Sequence, residues 1–454
     1  MPCAFKRLPG RVLTVLTLRF GLALLTVFAL PSASGADAPL ATPDAVTHAV
    51  IRDIEFTGNT VTRRSILEQE MLVHVGDPAN PVLIEKSRQA IMNLGLFVSV
   101  SATLEPRDDG VALRIHVKEK YYLLPVPKLN RNEQNQVSLG AEITLDNMAG
   151  FNQQLKLRYE TEEAPGLSKG EIVSYDAGYF YPRLLGSAYN LRSNVGKEVS
   201  PAEVVSGVSL ISLYKKEAWT ADISLSRWLD PIGPSRGWQV GGGLVWRRNI
   251  YDYVSGLPTA SFQDSKAVGI SALVQHIDVA DYLYSRSGID YGYVGEYGSK
   301  MLGSDTHYTR HEFYYRRYFL LEDGNHENID VQVKLGLSSG DMFFGDLYAY
   351  GLGGNKSLRG YDSGSITGNS YVLLNVQYLR PLFGYKPLRG VLFLDAGNAY
   401  PSNLEFHIGK LLWDAGVGLR LRVKALVKVD LRLDVAYAPD TGLTRVFLGT
   451  REMF

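Results

Sequence analysis

Three groups of residues in this 454-residue chain have types and spacing that could do chemistry. The first is Gly233-Pro234-Ser235-Arg236-Gly237, which matches the Gly-x-Ser-x-Gly pattern of a serine nucleophile. That chemistry needs a strand-to-helix turn that aims the hydroxyl. Pro234, followed by the strand-like run Trp238–Trp246, predicts a hairpin turn instead. The second group is His307 and His311, four residues apart. On a strand that spacing is ~13 Å, too far for two ligands of one metal. The third is an arginine and a carboxylate. Arg359 lies in Gly353-Gly-Asn-Lys-Ser-Leu-Arg-Gly-Tyr361, a stretch whose glycines exclude a stable helix or strand interior. Asp395 lies in the apolar run Phe393-Leu-Asp-Ala-Gly397. A charge in such a run is costly unless paired, and the planar fork of Arg359 suits it. None of these is a catalytic constellation, a phosphate loop or a zinc motif. The expectation is a non-enzyme with no catalytic residue, metal or cofactor.

The elements that must position Arg359 and Asp395 are strands. Val427–Tyr437 alternates strictly: Val427, Val429, Leu431, Leu433, Val435 and Tyr437 face one way, and Lys428, Asp430, Arg432 and Asp434 the other. Trp413–Lys424 and Gln136–Leu145 alternate in the same manner. A soluble sandwich also alternates. These strands, however, run ~9–11 residues, the length that crosses a bilayer when tilted, and their polar face is heavily charged, as in a wet lumen. No later stretch reaches the ~20 apolar residues of a membrane helix. At roughly 20 residues per strand and connection, residues 120–454 allow about sixteen strands.

The ends and the composition agree. Lys6, Arg7 and Arg11 precede the mostly apolar Val12–Leu30, and Pro31–Ala36 is rich in small residues. This pattern predicts a signal peptide over 1–36, followed by a leader over 37–48. Cys3, the one cysteine, would leave with the signal, so no disulfide is expected. A formal net charge of +0 argues against a nucleic-acid partner. Counts of 45 Gly and 27 Tyr suit many turns and aromatic belts.

Residues 49–119 read as strand, helix, helix, strand, strand. Gly58-Asn59 turns after the first strand. Gly76-Asp77-Pro78 breaks the helical spacing of Thr62–Leu72, and Pro81 opens a second helix that Gly95 ends. Asp108-Asp109-Gly110 turns between two alternating runs.

This segment resembles a POTRA domain, through Ile54-x-Phe56-x-Gly58-Asn59, Gly76-Asp77, Leu94-Gly-Leu-Phe97 and Val117-x-Glu119. Leu358-Arg-Gly-Tyr361 resembles the loop motif of the POTRA-barrel superfamily of outer-membrane insertases and translocators (the BamA/TamA type, bacterial surface antigen family), with Leu358 in place of the usual Val. Phe393-x-Asp395-x-Gly397 resembles the strand motif that receives that arginine. Asp146-Asn147-x-x-Gly150 and Tyr181–Ser187 resemble other barrel segments of the family. The resemblance implies one periplasmic POTRA domain below a sixteen-stranded antiparallel barrel. It implies a loop folded into the lumen and locked by Arg359, Gly360, Tyr361, Asp395 and Gly397. Terminal Phe454, on one face with Val446 and Leu448, resembles the assembly signal of outer-membrane barrels. Thr450 and Glu452 share that face and depart from the pattern.

The implied function is assembly or insertion of barrel proteins in the bacterial outer membrane, or translocation of polypeptide. Unfolded clients would add a strand to the POTRA edge, with membrane lipids and an accessory periplasmic or inner-membrane protein as further partners. The seam is expected between Gln136–Leu145, as first strand, and Thr444–Phe454, as last. The alternatives are a two-partner-type secretion pore and, in a different class, a passive porin.

Overall fold

The computed structural model describes residues 49–449, apart from 132–136, 165, 169, 231–232, 261, 323–324, 342–344, 346, 404–406 and 428–429. The signal and leader segments, Phe454 with Thr450 and Glu452, and Lys428 and Val429 therefore lie outside the described residues.

The N-terminal α+β unit comprises β1 (Ile51–Thr57), α1 (Arg64–Glu68), α2 (Pro81–Asn93), β2 (Phe97–Arg107) and β3 (Gly110–Glu119). Its sheet has the order β1-β3-β2, with β1 parallel and β2 antiparallel to β3. Pro81 presets the first turn of α2, and the side chain of Asn80 accepts from Val82 N at 2.9 Å. The apolar faces of both helices close over the sheet through Leu67, Ile91, Leu96, Leu113 and Ile115, all buried. Burying each such side chain is worth about 1.5–3 kcal/mol. α1 starts later than the spacing of Thr62–Leu72 predicts, because Glu119 captures the chain just before it, and it ends at Glu68. That carboxylate accepts from Thr60 N (3.0 Å), Thr60 Oγ1 (2.7 Å), Val61 N (3.0 Å) and Thr62 N (2.7 Å).

Glu119 makes a testable clamp. Burial pushes its pKa up, but the hydrogen bonds from Thr62, Thr60 and Val61 outweigh burial and hold it below the ordinary 4.5. A depressed folded pKa stabilises above the unfolded value. That contribution is lost as pH falls below 4.5 and through the folded value. A fragment of residues 49–119 is expected to fold alone. Its Glu119→Ala variant should melt lower at pH 7, with the gap narrowing as the medium is acidified through that window. A gap independent of pH would remove the clamp, and a fragment disordered by NMR would remove the boundary.

Sixteen strands follow in one antiparallel sheet. They are β4 (Leu123–Arg131), β5 (Val137–Met148), β6 (Gln153–Glu163), β7 (Glu171–Tyr181), β8 (Tyr189–Ser206), β9 (Ser209–Trp228), β10 (Gly237–Gly256), β11 (Ser265–Asp281), β12 (Arg286–Gly298), β13 (Tyr308–Glu322), β14 (Glu327–Gly340), β17 (Ser370–Leu382), β18 (Tyr385–Tyr400), β19 (Leu412–Arg422), β20 (Asp430–Ala438) and β21 (Leu443–Gly449). The short β15 (Tyr350–Leu352) and β16 (Ile366–Gly368) pair with each other inside the long β14–β17 connection. Each strand of the large sheet pairs with the next, and β21 comes round beside β4, so the sheet is a barrel. No helix among the described residues is long and apolar enough to cross a membrane. Outward positions are apolar, as at Leu431 and Tyr437, and inward ones charged, as at Asp430, Arg432 and Asp434.

Two sequence expectations are corrected. The first barrel strand is β4, and Val137–Leu145 belongs to the second, β5. Pro125 and Pro127 interrupt the strand pattern over 123–131. A strand at the sheet edge tolerates proline, because its outer N–H groups have no ladder to join. Val427 does not start the strand of Leu431 and Leu433. It lies in the β19–β20 turn and is buried in the core of the N-terminal unit. Alternation along one strand cannot show that a turn residue is covered by another domain.

Candidate functional site

The β14–β17 connection folds into the lumen, and glycines let it do so. Gly353 has φ +105°, and Gly354 N donates to Tyr361 O at 2.8 Å, which closes a tight loop. A Cβ on Gly360 would stand 2.6 Å from Asp414 Cβ and 2.8 Å from Ala438 Cβ, so only glycine lets the loop backbone reach the wall. Gly397 plays the same part between strands: a Cβ there would meet Val372 O at 2.6 Å.

At the loop's tip Arg359 is completely buried. Its Nε donates to Asp395 Oδ2 at 2.7 Å and its Nη2 to Asp395 Oδ1 at 2.8 Å. This is the two-pronged geometry that a guanidinium and a carboxylate favour. Its Nη1 lies 3.5 Å from Asp434 Oδ2, and the guanidinium stacks 3.4 Å over the Phe393 ring. Asn375 Nδ2 bridges Asp395 Oδ1 (2.8 Å) and Ser357 O (2.7 Å). Tyr361 Oη donates to Asp440 Oδ1 at 2.6 Å. Asp434 also accepts from Arg420 at 2.6 Å and from Arg432, and Arg432 Nη1 donates to Asn355 O at 3.0 Å. On the last strand, Arg445 Nε donates to Gly360 O at 3.0 Å and Nη2 to Asp362 Oδ2 at 2.9 Å. The structure thus brings Arg359, Gly360, Tyr361 and Asp395 together. Val446 and Leu448 lie outward on β21. Asn375, Asp440 and Arg445 were missed. Asn375 is a polar residue in the apolar run of β17, the same signal that singled out Asp395. Asp440 and Arg445 carry no such signal.

The seam is the second part. Asp146 N donates to Tyr122 O at 2.7 Å, while Tyr121 N turns the other way, to Ala425 O at 2.8 Å. Backbone direction alternates along a strand, so Leu123, Pro125, Pro127, Leu129 and Arg131 turn their backbone polar groups away from β5, towards the seam. Pro125 and Pro127 have no N–H to give. Among the described residues no hydrogen-bonded ladder joins β4 to β21.

The N-terminal unit is docked on the barrel. Thr62 Oγ1 accepts from Asn147 Nδ2 at 2.8 Å, and Arg63 N donates to Gly150 O at 3.1 Å. Glu70 accepts from Ser235 N (2.8 Å) and Ser235 Oγ (2.7 Å), with Arg183 Nε 3.5 Å away. Asn93 Oδ1 accepts from Asp281 N at 2.9 Å, and Leu283 and Val427 pack on the unit's core. The Gly-x-Ser-x-Gly stretch is thus a docking turn. His311 Nδ1 lies 2.8 Å from Tyr293 Oη, and no metal-binding group of three or more His, Cys, Asp or Glu exists among the described residues. The outer edge of β1 is covered by the 76–79 loop, where Ile51 N donates to Asp77 O at 2.9 Å and Ala79 N to Ala49 O at 2.8 Å. The outer edge of β2 has no partner strand among the described residues.

A sixteen-stranded barrel carrying one small α+β domain, with a lumen loop held by arginine, defines a POTRA-bearing outer-membrane barrel. Comparison with known families agrees. The Omp85 superfamily domain matches residues 147–442, and the POTRA family described as a surface antigen variable number repeat matches 49–120. The chain belongs to the Omp85 superfamily. Similar solved structures include CdiB from Escherichia coli (16% identity, 88% of this chain and 76% of that one, TM-score 0.60). CdiB from Acinetobacter baumannii is also similar (15%, 89% and 73%, TM-score 0.59). So is BamA from Haemophilus ducreyi lacking POTRA domains 1-3 (16%, 88% and 83%, TM-score 0.51).

Proposed function

We propose that this protein inserts barrel clients into the bacterial outer membrane, with its POTRA domain in the periplasm. The observation that carries this reading is the proline-bearing edge of β4, which has no ladder to β21 among the described residues. A strand edge without its ladder offers backbone groups that a client strand can pair with. The outer edge of β2, without a partner strand among the described residues, is a second such template, suited to an extended, unfolded chain. The Arg359–Asp395 lock holds the loop against β17, β18, β20 and β21, so the wall next to the seam stays rigid while the seam itself is weak. No step in this mechanism breaks a covalent bond, and no cofactor is needed. Export of a partner polypeptide is the competing role within the same superfamily.

Reconstitution tests the proposal. Vesicles carrying the protein should speed the folding of a urea-unfolded outer-membrane barrel, read as heat-modifiable product. Small, erratic conductance is expected in planar bilayers. A large steady conductance without accelerated client folding would reject insertion in favour of a pore. Replacing Pro125 and Pro127 by Val returns two seam donors. At about 1 kcal/mol each, they would shift the seam towards closed by roughly 30-fold, and client folding should slow. Unchanged client folding would remove the prolines from the mechanism.

A further inference from the structure

The outward wall of β8–β11 is apolar up to one level, which carries a row of cations. On β10 the outward side chains from Trp238 through Leu244 to Trp246 are apolar, with Ile223 on β9 and Ile270 on β11 beside Leu244. This run rises ~20 Å along the axis at ~3.3 Å per residue and a ~40° tilt, close to the ~25 Å apolar band of a membrane barrel. The next outward level, away from the POTRA domain, is a single cross-strand row. Lys197 stands opposite Trp219, Trp219 opposite Arg248, and Arg248 opposite Lys266.

Two members of the row are already engaged. Lys197 Nζ lies 3.0 Å from Glu217 and 4.6 Å over the Trp219 ring. Arg248 and Lys266 are not: among the described residues neither side chain has a carboxylate partner. Like charges directly opposite on adjacent strands repel. Lys300 is exposed on the turn after β12, the turn whose Gly303 adjoins Lys266 Nζ, and supplies a third cation to this region. An anion between Arg248 and Lys266 would turn this repulsion into charge-assisted hydrogen bonding.

We infer that Arg248 and Lys266, with Lys300 beside them, bind the phosphate groups of an anionic lipid headgroup in the leaflet distal to the POTRA domain. A lipid, rather than free phosphate, fits the position, because the row tops a wall that takes acyl chains. The leaflet assignment rests on the orientation proposed above.

The test uses the full-length protein in detergent and lipid A, a glycolipid with two phosphates, as probe. Native mass spectrometry should show retained lipid A. Arg248→Gln with Lys266→Gln should weaken its binding roughly 30-fold, at about one tenfold step or less per cation. Lys86→Gln, on α2, should change nothing. Millimolar inorganic phosphate should not displace the lipid. A heat-modifiable double variant that holds lipid A like wild type would overturn the inference, as would displacement by inorganic phosphate at equal concentration. Lys300→Cys, labelled on intact cells by an impermeant maleimide, isolates the orientation. No labelling would overturn the leaflet assignment through the orientation, while labelling without lipid A retention would overturn the site alone. Client folding in phosphatidylcholine vesicles should be the same for wild type and double variant, which keeps this failure apart from failure of the insertion reading.

Discussion

Arg359→Ala is expected to destabilise the barrel by about 3–5 kcal/mol and to abolish complementation. Removing one partner of a buried ion pair leaves the other uncompensated, and that penalty exceeds the net worth of the pair. In the Arg359→Ala variant Asp395 keeps the Asn375 amide but loses its cation. Asp395→Ala should be milder, because Arg359 retains Asp434 at 3.5 Å and the face of Phe393. The double variant should fall short of the summed single losses by about 0.5–3 kcal/mol. Arg359→Lys should rescue only in part, because an ammonium cannot span both Asp395 oxygens. Urea titration of heat-modifiable folding supplies the cycle. Strict additivity would mean that the two side chains do not act as a pair and would withdraw the lock from the mechanism.

Leu433→Arg should cost about 2–4 kcal/mol. Leu433 lies on the outward face of β20, in a cross-strand row between Leu419 and Leu448. Lipid offers a guanidinium neither water nor a partner at that depth. Thr444→Arg is the matched control. Thr444 is outward on β21 and opposite Tyr437, but at the loop end, where the cost falls to about 0–1 kcal/mol. Equal tolerance at both positions would contradict a membrane-facing wall. Alternation alone would rank Arg432→Leu as mild. The structure changes that ranking, because Arg432 serves both Asp434 and the loop carbonyl of Asn355.

The chain alone determined much of this protein, wherever the signal was local. Strict alternation at Leu431–Tyr437 told which side chains face out, because a strand's side-chain period is two whatever it pairs with. Pro81, Gly95 and Gly110 punctuated the α+β unit, because caps and turns act within a few residues. A lone carboxylate in an apolar strand and an arginine between glycines named each other, because each would be costly unpaired.

What only the tertiary structure decided depends on pairs of distant elements. The first strand carries Pro125 and Pro127, and only its place at the sheet edge makes them compatible with a strand. Val427 looked like a strand residue and serves the core of another unit. Arg445 and Asp440 had no local mark, since a charged residue facing a polar lumen looks the same whether solvated or holding a loop. The row Lys197–Trp219–Arg248–Lys266 exists only through the register of three ladders. Register is set where one strand meets another, and no window along a single strand contains it.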